Sequence, residues 1–298
     1  MSFTPTDEQK LVIEHFGSPL RVLAGPGTGK TTSITRRIQH LINVRRIPHA
    51  NIYAVTFTRA ATGEMRRKLE RECGIRSDKL PRVSTLHALA TNLLHRYHAL
   101  IGLSGDFHTP SELEKRLLLA DVTADMAARG VQLPFRGFPK VANFLEAYDQ
   151  ERSCGKLPDW VINDAQKKRR YDLFVQRYQE ALRFYRAIDW TEVVVKAVQL
   201  LKEHASVRAE LQAAVQQLLV DEYQDFNPLE QDLVSHIVSS HNGLCVVGDD
   251  DQSIFETFRF ANPAGLIDFS LRYGSAQTLP LTVSNRCPPK IIEKALRV

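Results

Sequence analysis

Short apolar runs alternate along the chain with segments of helical periodicity. The runs are rich in Val, Ile and Leu, and each is bounded by a turn signal or a polar cluster. They predict strands at residues 21–24, 52–57, 82–87, 218–223 and 244–249. After the first run, residues 31–42 place Ile34, Ile38, Leu41 and Ile42 on one apolar helical face. Near-continuous apolar strands separated by helices are typical of a parallel sheet covered on both faces, so the predicted fold class is α/β.

The pattern changes between residues 90 and 205, where long polar and basic helical segments occur without a convincing strand. Large side chains recur there at spacings of three and four: Tyr171, Phe174, Tyr178, Leu182 and Tyr185. We interpret this stripe as the core side of a helix, with direct stacking on nucleic acid as the less favoured alternative. We therefore predict an all-helical subdomain at residues 91–204, inserted into an α/β domain formed by residues 1–90 and 205–285.

Composition and charge narrow the function only slightly. The 298 residues are 43% hydrophobic and 24% charged with a formal net charge of +5, which is compatible with a polyanionic partner without requiring one. The N-terminus lacks a basic start followed by an apolar stretch, and no later run is long enough to cross a membrane. We therefore expect a cytoplasmic protein without a membrane partner. The cysteines form no CxxC pair, which disfavours a zinc site or disulfide framework and predicts buried thiols at Cys73, Cys154, Cys245 and Cys287.

The strongest chemical signal is the glycine-rich stretch LAGPGTGKTT at residues 23–32, which follows a predicted strand and opens a predicted helix. Glycines let backbone N–H groups turn around phosphate oxygens, Lys30 can reach the β and γ phosphates, and the Thr31 hydroxyl can bind Mg²⁺. The stretch is a P-loop in which Ala24 replaces the usual first glycine, so we expect the conformational demand to fall on the three glycines that follow. The predicted nucleotide-binding residues of the loop are Ala24, Gly25, Pro26, Gly27, Thr28, Gly29, Lys30, Thr31 and Thr32.

A second signal is LLVDEYQDFNPLEQ at residues 218–231, an apolar run that ends in two adjacent acids. In enzymes with a P-loop, an Asp at the end of a neighbouring strand holds magnesium, and we assign this role to Asp221. An acid directly after it can orient and deprotonate the attacking water, so Glu222 is the predicted general base of ATP hydrolysis. ATP and Mg²⁺ are therefore the expected cofactors.

Seven motifs in sequential order resemble superfamily 1A DNA helicases of the UvrD, Rep and PcrA group. They are TPTDEQ at 4–9, AGPGTGKT at 24–31, TFTRAATGEM at 56–65, STLHAL at 84–89, VDEYQD at 220–225, VVGDDDQSIF at 246–255 and LTVSNR at 281–286. The resemblance spans nearly the whole chain. It implies that the α/β domain has the RecA-like fold of a P-loop NTPase and is the first motor domain of a 3′ to 5′ DNA translocase and helicase.

The resemblance also implies roles for individual residues. Gln9 would read adenine, Gln252 would contact the γ phosphate, and Arg286 would stabilise developing charge there, completing a catalytic set with Lys30 and Glu222. Single-stranded DNA and its junctions with duplex would be the partner, bound by backbone contacts and sequence-tolerant stacking. The residues implied for this DNA groove are Thr56, Phe57, Thr85, His87, Phe255, Phe258 and Arg259.

Several positions depart from the family pattern. Arg59 and Ala60 replace the usual Asn-Lys pair, and Leu86 stands where Phe is usual. The segment after Gln252 carries one extra residue and lacks the usual glycine. These departures fall in motifs that are implied to touch DNA.

The family's motor clamps ATP between two RecA-like domains, and we expect the second one to be missing here, with residues 286–298 beginning the connection to it. The chain alone should then bind ATP with little turnover, because the arginine finger of the opposite wall is absent. Two alternatives stay open: a self-contained, nucleotide-dependent module for single-stranded DNA, and the first part of a RecB-like or AddA-like helicase-nuclease. The oligomeric state, the loading partners and the DNA pathway also stay open.

Overall fold

The computed structural model describes residues 4–131, 138–238, 242–253 and 260–284, and for residues 138–141 it describes the backbone alone. Contacts along the chain divide it into two compact units. The first, here the sheet unit, comprises Met1–Leu89 and His204–Val298, and the second, the helical unit, comprises Ala90–Glu203. Each unit is organised around its own buried apolar cluster.

The sheet unit contains a six-stranded sheet in which every pair of neighbouring strands is parallel. Its strands are β1 (Leu20–Ala24), β2 (Ile52–Thr56), β3 (Arg82–Thr85), β4 (Gln217–Val220), β5 (Leu244–Gly248) and β6 (Gln277–Leu281). Their order across the sheet is β3-β2-β4-β5-β1-β6. The predicted α/β class with a parallel sheet is therefore confirmed.

Helices occupy most of the chain between and beyond the strands. In chain order they are α1 (Asp7–Glu14), α2 (Lys30–Asn43), α3 (Arg59–Arg71), α4 (Leu86–Tyr97), α5 (Glu112–Ala128), α6 (Phe138–Cys154), α7 (Asp159–Ile162), α8 (Ala165–Phe184), α9 (Trp190–Glu203), α10 (Ala205–Ala214), α11 (Pro228–Ile237), α12 (Ala264–Ile267) and α13 (Phe269–Arg272). Short 3₁₀ turns cover His49–Asn51, Ser77–Lys79, His98–Ile101, Tyr223–Asp225 and Asp250–Gln252.

Capping residues explain where several helices begin. Thr6 and Asn227 each form a capping box at the start of α1 and α11, in which the side chain of the capping residue and the side chain three positions later satisfy exposed backbone N–H groups. Pro228 directly follows Asn227 and fits the first helical position, where its missing N–H costs nothing. These local signals fix the ends of helices that flank the sheet edge described below.

The core of the sheet unit is formed by the strands and by the helices packed on them. Strands β2, β4 and β5 are buried at every position, as expected for inner strands covered on both faces. The α2 face predicted from the sequence is buried at Ile34, Ile38 and Leu41, whereas Ile42 is only partly buried. Burial of this stripe holds the helix that begins at Lys30 against the sheet.

The helical unit has a second apolar cluster. The α8 stripe is buried at Tyr171, Phe174, Tyr178 and Leu182, which confirms its interpretation as a core stripe. Tyr185 lies just beyond the helix end and is 46% exposed, so the stripe stops at Leu182. The described residues of this unit contribute no strand to the sheet.

The strand predictions need three corrections. The predicted strand 82–87 ends at Thr85, because Leu86 already starts α4, and the strand 218–223 ends at Val220, before its two acids. Strand β6 was not predicted, since Pro280 interrupts its apolar pattern. Proline is tolerated there because β6 is an edge strand paired only with β1 among the described strands.

The predictions about cysteines and membrane segments can be compared directly. Cys73 and Cys245 are buried free thiols, Cys154 is a half-buried one, and Cys287 lies outside the described residues. In the part of the chain that the structure describes, no helix is long and apolar enough to cross a bilayer.

Candidate active site

The carboxyl ends of the parallel strands meet at one edge of the sheet, where a pocket of about 670 Å³ opens. Loops after β1, β4 and β5 bring Lys30, Glu222 and Gln252 to its wall. Its lining consists of Thr4, Thr6, Gln9, Pro26, Gly27, Gly29, Lys30, Thr31, Thr32, Lys68, Glu72, Glu222 and Gln252. Ligands of open α/β sheets bind at this edge, so the pocket is the candidate active site.

The glycine-rich loop has the backbone shape that its glycines permit. Gly27 and Gly29 have φ angles of 74° and 89°, in the left-handed region that favours glycine. Gly25 does not lie in that region, and an added Cβ there would meet its nearest atoms at 3.9 Å. The prediction that the loop conformation requires glycine at position 25 is therefore wrong. The Thr28 hydroxyl donates to the Gly25 carbonyl at 2.8 Å and braces the turn.

Gln9 holds the loop against α1. Its side chain is buried, the amide Nε2 donates to the Thr28 carbonyl at 3.2 Å, and Oε1 accepts from the Thr6 N–H at 3.1 Å. An added Cβ on Gly29 would lie 2.7 Å from Gln9 Nε2, so a larger residue there would displace the Gln9 amide, and the left-handed φ of 89° also favours glycine. Both polar ends of the amide are therefore used to shape the pocket wall.

Glu222 faces the loop from the end of β4. Lys30 Nζ lies 3.1 Å from Glu222 Oε2, and the amide of Gln224 donates to the same oxygen at 2.9 Å. Glu222 has φ 52° and ψ 47°, a left-handed conformation that is uncommon for a residue with a side chain. The sharp turn explains how the chain leaves a buried strand and still presents a 37% exposed carboxylate to the pocket.

Asp221 lies behind this surface and is buried. Burial raises its pKa to about 7, and the neighbouring charge of Glu222 adds to the effect, while Lys30 and a backbone hydrogen bond oppose it. The Glu222 N–H donates to Asp221 Oδ1 at 3.1 Å. The carboxylate is therefore held where a further positive charge would favour its ionised form.

The loop after β5 is joined to Glu222 through Gln224. Gln224 Oε1 accepts from the Asp249 N–H at 3.1 Å, and the Asp249 carboxylate hydrogen-bonds to the Gln252 side-chain amide. Gln252 in turn lines the pocket. A chain of hydrogen bonds thus connects the turn after β4, which carries Glu222, to the loop after β5, which carries Gln252.

The segment after β6 also reaches the pocket rim. The N–H and hydroxyl of Thr282 donate to the Glu8 carboxylate at 2.7 and 2.6 Å, which lowers the pKa of Glu8. The Ser284 hydroxyl donates to the Pro26 carbonyl at 3.0 Å. The LTVSNR segment therefore meets both α1 and the glycine-rich loop, while its Arg286 lies outside the described residues.

Four of the residues predicted for a DNA groove lie at the ends of two neighbouring strands or directly after them. Thr56 ends β2 and is 1% exposed, with its hydroxyl 2.6 Å from that of Thr62. Phe57 is half-buried, and the half-buried Thr85 accepts from the Ala88 N–H at the start of α4. His87 is buried, with Nδ1 lying 3.7 Å from the Glu230 carboxylate. Phe255, Phe258 and Arg259 lie outside the described residues.

Comparison with known proteins decides the family. A family model for the UvrD/REP helicase N-terminal domain matches residues 5–274. The chain belongs to this family. The motif-based resemblance to UvrD, Rep and PcrA helicases is thereby confirmed.

Curated relatives carry names from the same group. The chain is 32% identical over 303 residues to ATP-dependent DNA helicase UvrD1 of Mycobacterium tuberculosis, covering 97% of this chain and 38% of that protein. It is 30% identical over 293 residues to ATP-dependent DNA helicase PcrA of Leuconostoc citreum, with coverages of 97% and 38%. It is 29% identical over 289 residues to ATP-dependent DNA helicase Rep of Escherichia coli, with coverages of 96% and 42%. The chain thus spans about two fifths of the length of these relatives.

Magnesium, which is implied by this UvrD/REP domain, fits the residues at the sheet edge. Asp221 is a buried carboxylate whose pKa is raised by burial and by the nearby charge of Glu222, so a bound cation would favour its ionised form, and Thr31 lines the pocket. Among the described residues, no group of three or more His, Cys, Asp or Glu side chains could hold a metal ion. A cation here would thus need phosphate and water oxygens as further ligands, which is how Mg²⁺ is commonly bound.

Sequence reasoning missed two charged residues of the pocket. Lys68 in the last turn of α3 and Glu72, the residue that caps the end of this helix, both line the pocket, and no motif had assigned a role to either of them. Lys68 also pairs with Glu64 at 3.1 Å, as many surface lysines do. Helical spacing alone could not separate them from the other charges of α3, since their place in the pocket depends on how α3 packs beside α2.

Proposed function

We propose that this UvrD/REP domain binds Mg-ATP at the sheet-edge pocket and hydrolyses it, as the nucleotide-binding part of an ATP-dependent DNA helicase. One observation carries the proposal. The lysine of the glycine-rich loop and the acid after β4, 192 positions apart in sequence, meet at 3.1 Å in one pocket. This pairing is what a P-loop ATPase needs, because both groups must face the same terminal phosphate.

The proposed binding roles follow from position. Backbone N–H groups of the glycine-rich loop and the N-terminus of α2 would hold the phosphates, with Lys30 on the β and γ oxygens. Gln9 supports the loop from α1 and would lie beside the base. Asp221 and Thr31 would hold the magnesium ion, which supplies neutralisation of the negative charge on the phosphates.

Glu222 is the proposed general base. Its carboxylate would accept a proton from water while the water oxygen bonds to the γ phosphorus and the bond to the β–γ bridging oxygen breaks, releasing ADP. Lys30 pairs with Glu222 here, but its ammonium would be drawn to the phosphates of bound ATP. Gln252 would contact the γ phosphate, and Arg286 would add positive charge.

The DNA part of the proposal rests on the family. The relatives are named DNA helicases, and the loops after β2 and β3 that carry the predicted groove residues lie at the same edge of the sheet as the pocket. We propose single-stranded DNA and its duplex junctions as the substrate, translocation from 3′ to 5′, and a second RecA-like domain that completes the ATP site. The two alternatives raised by the sequence stay predictions.

Substitution of the loop lysine tests nucleotide binding. Lys30→Ala should abolish binding of a fluorescent ATP analogue in the presence of Mg²⁺, because the cation that faces the β and γ phosphates is lost. The matched control is Lys79→Ala, an exposed lysine that does not line the pocket. Unchanged affinity in Lys30→Ala would show that ATP binds elsewhere.

Salt and an aromatic substitution test the DNA groove. Fluorescence anisotropy with a labelled oligothymidylate should show affinity that falls as salt rises, since released counterions drive binding to phosphates. Phe57→Ala should weaken binding by about 1–3 kcal/mol if a base stacks on this ring. Phe16→Ala serves as control, because Phe16 is an exposed ring that follows α1 and is not among the predicted groove residues. Affinity that is independent of salt, or equal losses in both variants, would contradict the groove.

A further inference from the structure

Gln224 is a buried side chain for which the proposed reaction has no chemical role. It is 2% exposed, yet both ends of its amide are satisfied. Nε2 donates to Glu222 Oε2 at 2.9 Å, and Oε1 accepts from the Asp249 N–H at 3.1 Å. A backbone N–H can only donate and a carboxylate can only accept, so the amide has one permitted orientation. Gln224 is therefore a fixed bridge between the turn after β4 and the loop after β5.

Gly248, the last residue of β5, makes room for this bridge. An added Cβ at position 248 would lie 2.4 Å from Gln224 Oε1 and 2.9 Å from a Leu266 methyl group. Gly248 is not among the residues with positive φ, so the need for glycine is one of space and not of backbone conformation. The end of β5 is thus shaped to admit the amide of Gln224.

Two donors share one oxygen of Glu222. Lys30 and Gln224 both contact Oε2, at 3.1 and 2.9 Å. Lys30 is the donor that ATP phosphates would compete for, whereas the Gln224 amide is enclosed and bound at its other end to the backbone. When Lys30 turns to the phosphates, Gln224 remains as a tether that keeps the carboxylate in place.

The other end of the bridge leads back to the pocket. The backbone of Asp249 is held by Gln224, and its carboxylate hydrogen-bonds to the Gln252 amide, which lines the pocket. Gln252 is the residue that would sense the γ phosphate. One amide thus lies between the group that would activate water and the group that would contact the phosphate.

We propose that Gln224 is a positioning residue for ATP hydrolysis, which holds the Glu222 carboxylate and fixes it relative to the Gln252 loop. The inference rests on the proposed function, because it assumes that Glu222 is the base. Gln224 itself touches neither nucleotide nor water in this role. Its loss should therefore slow the chemical step without weakening nucleotide binding.

The test compares Gln224→Leu and Gln224→Glu in the full-length protein. Leu removes both hydrogen bonds, and Glu keeps an acceptor for the Asp249 N–H but loses the donor to Glu222. Both should lower kcat for DNA-stimulated hydrolysis by about 10- to 100-fold, because displacement of a reacting group by about 1 Å has such effects. The dissociation constant of a fluorescent ATP analogue should change less than about twofold, since a lost tether leaves the phosphate contacts intact.

A matched control separates positioning from packing. Gln231 is also buried, and its amide donates to the carbonyls of Phe226 and Asn262 at 2.8 Å, but it does not touch Glu222. Gln231→Leu should lower the melting temperature and leave kcat unchanged. Gly248→Ala should reproduce the low kcat of the Gln224 variants from the other side of the contact, and covers the case in which Gln224→Leu fails to fold.

The Glu222→Gln background separates failure of this inference from failure of the proposed function. In that background, Gln224→Leu should cause no further loss of hydrolysis, because the tethered base is already gone. Normal hydrolysis by Glu222→Gln alone would overturn the proposed base. An inactive Glu222→Gln together with wild-type kcat in Gln224→Leu and Gln224→Glu would overturn only the positioning role. Equal loss of nucleotide affinity and kcat in the Gln224 variants would also overturn it.

Discussion

Each of the two units places a cation beside carboxylates, but the charges are satisfied differently in the two places. In the helical unit, Arg152 donates to both oxygens of Asp189 at 3.0 Å, to Asp149 at 2.6 Å and to Glu192 at 3.1 Å. The ring of Tyr148 also lies 3.8 Å from its guanidinium carbon. Burial alone would lower the pKa of Arg152, but the charges of Asp189 and Asp149 outweigh it and raise the pKa.

The sheet-edge site leaves its charges less well matched. Lys30 contacts one oxygen of a 37% exposed Glu222, and the buried Asp221 has a pKa raised to about 7. A guanidinium that donates hydrogen bonds to several acids forms a rigid cluster between helices. A single ammonium near two acids does not neutralise both of them, so the site can still bind a charged ligand. The difference suggests that the arginine cluster serves folding and the lysine site serves binding.

Removing each cation should give the largest contrast. Arg152→Met should destabilise the helical unit by about 3–5 kcal/mol, because it leaves buried carboxylates without their partner. Lys30→Met should change stability by less than about 1 kcal/mol, since its partner is partly exposed to solvent. Hydrogen exchange of amides in α6 and α9 for the first variant, and in α2 for the second, measures both effects. Similar losses in the two variants would erase the distinction.

Asp221→Asn should reveal the cost of the acid at the sheet edge. The pKa of Asp221 is raised from 3.8 to about 7 in the folded chain, so the folded state binds this proton more tightly than the unfolded state. Stability from this group is complete below pH 4 and falls as pH rises to about 7, by up to about 1.4 kcal/mol per pH unit. Without divalent cations, the variant should therefore unfold at higher temperature than the wild type at pH 8.

The same pair of proteins supplies the control for that prediction. The difference in melting temperature should shrink as the pH falls to about 4 and below, because the wild-type carboxyl then becomes protonated in the unfolded state as well. Other titrating groups cancel because they are common to both proteins. A difference in melting temperature that stays constant between pH 4 and pH 8 would show that burial does not raise the pKa of Asp221.

Two glycines of the loop should give a smaller but clear contrast. Gly29→Ala should cost about 1–2 kcal/mol, because its φ of 89° is left-handed, and the added methyl should weaken ATP binding by displacing Gln9. Gly25→Ala should stay within about 0.5 kcal/mol of the wild type, since its added Cβ has 3.9 Å of clearance. Thermal unfolding and titration with a fluorescent ATP analogue measure both. Equal effects would mean that the loop's shape does not depend on Gly29.

Much of the fold could be predicted because its signals are local. The apolar runs identified β1, β2, β4 and β5, and the helical stripe of α2 was correct at Ile34, Ile38 and Leu41. Strand β6 escaped because Pro280 is acceptable only on an edge strand, and edge position is not a local property. The end of β3 was predicted two residues too late, because Leu86 and His87 extend the run of the strand in sequence although they already belong to α4.

The sequence predicted the separate motifs of the site, but not which further side chains would join them in the pocket. The structure brings Lys30, Thr31, Glu222 and Gln252 to one pocket, as the motifs suggested. It adds Lys68 and Glu72, which carry no signal in the sequence, and it shows that Gln9 is hydrogen-bonded to the loop. The proposed roles in catalysis and DNA binding remain predictions to be tested by the variants above.

The sequence by itself determined the alternation of helices with strands β1 to β5, the glycine-rich loop and the two acids that end an apolar run. These features depend on neighbours within a few positions, through backbone preference and periodic burial. Only the tertiary structure decided that β5 lies between β4 and β1, that Gln224 bridges Glu222 to Asp249, and that Asp221 is buried enough to shift its pKa. These features depend on which segments, distant in sequence, pack together and exclude water, and no short stretch of the sequence specifies that packing.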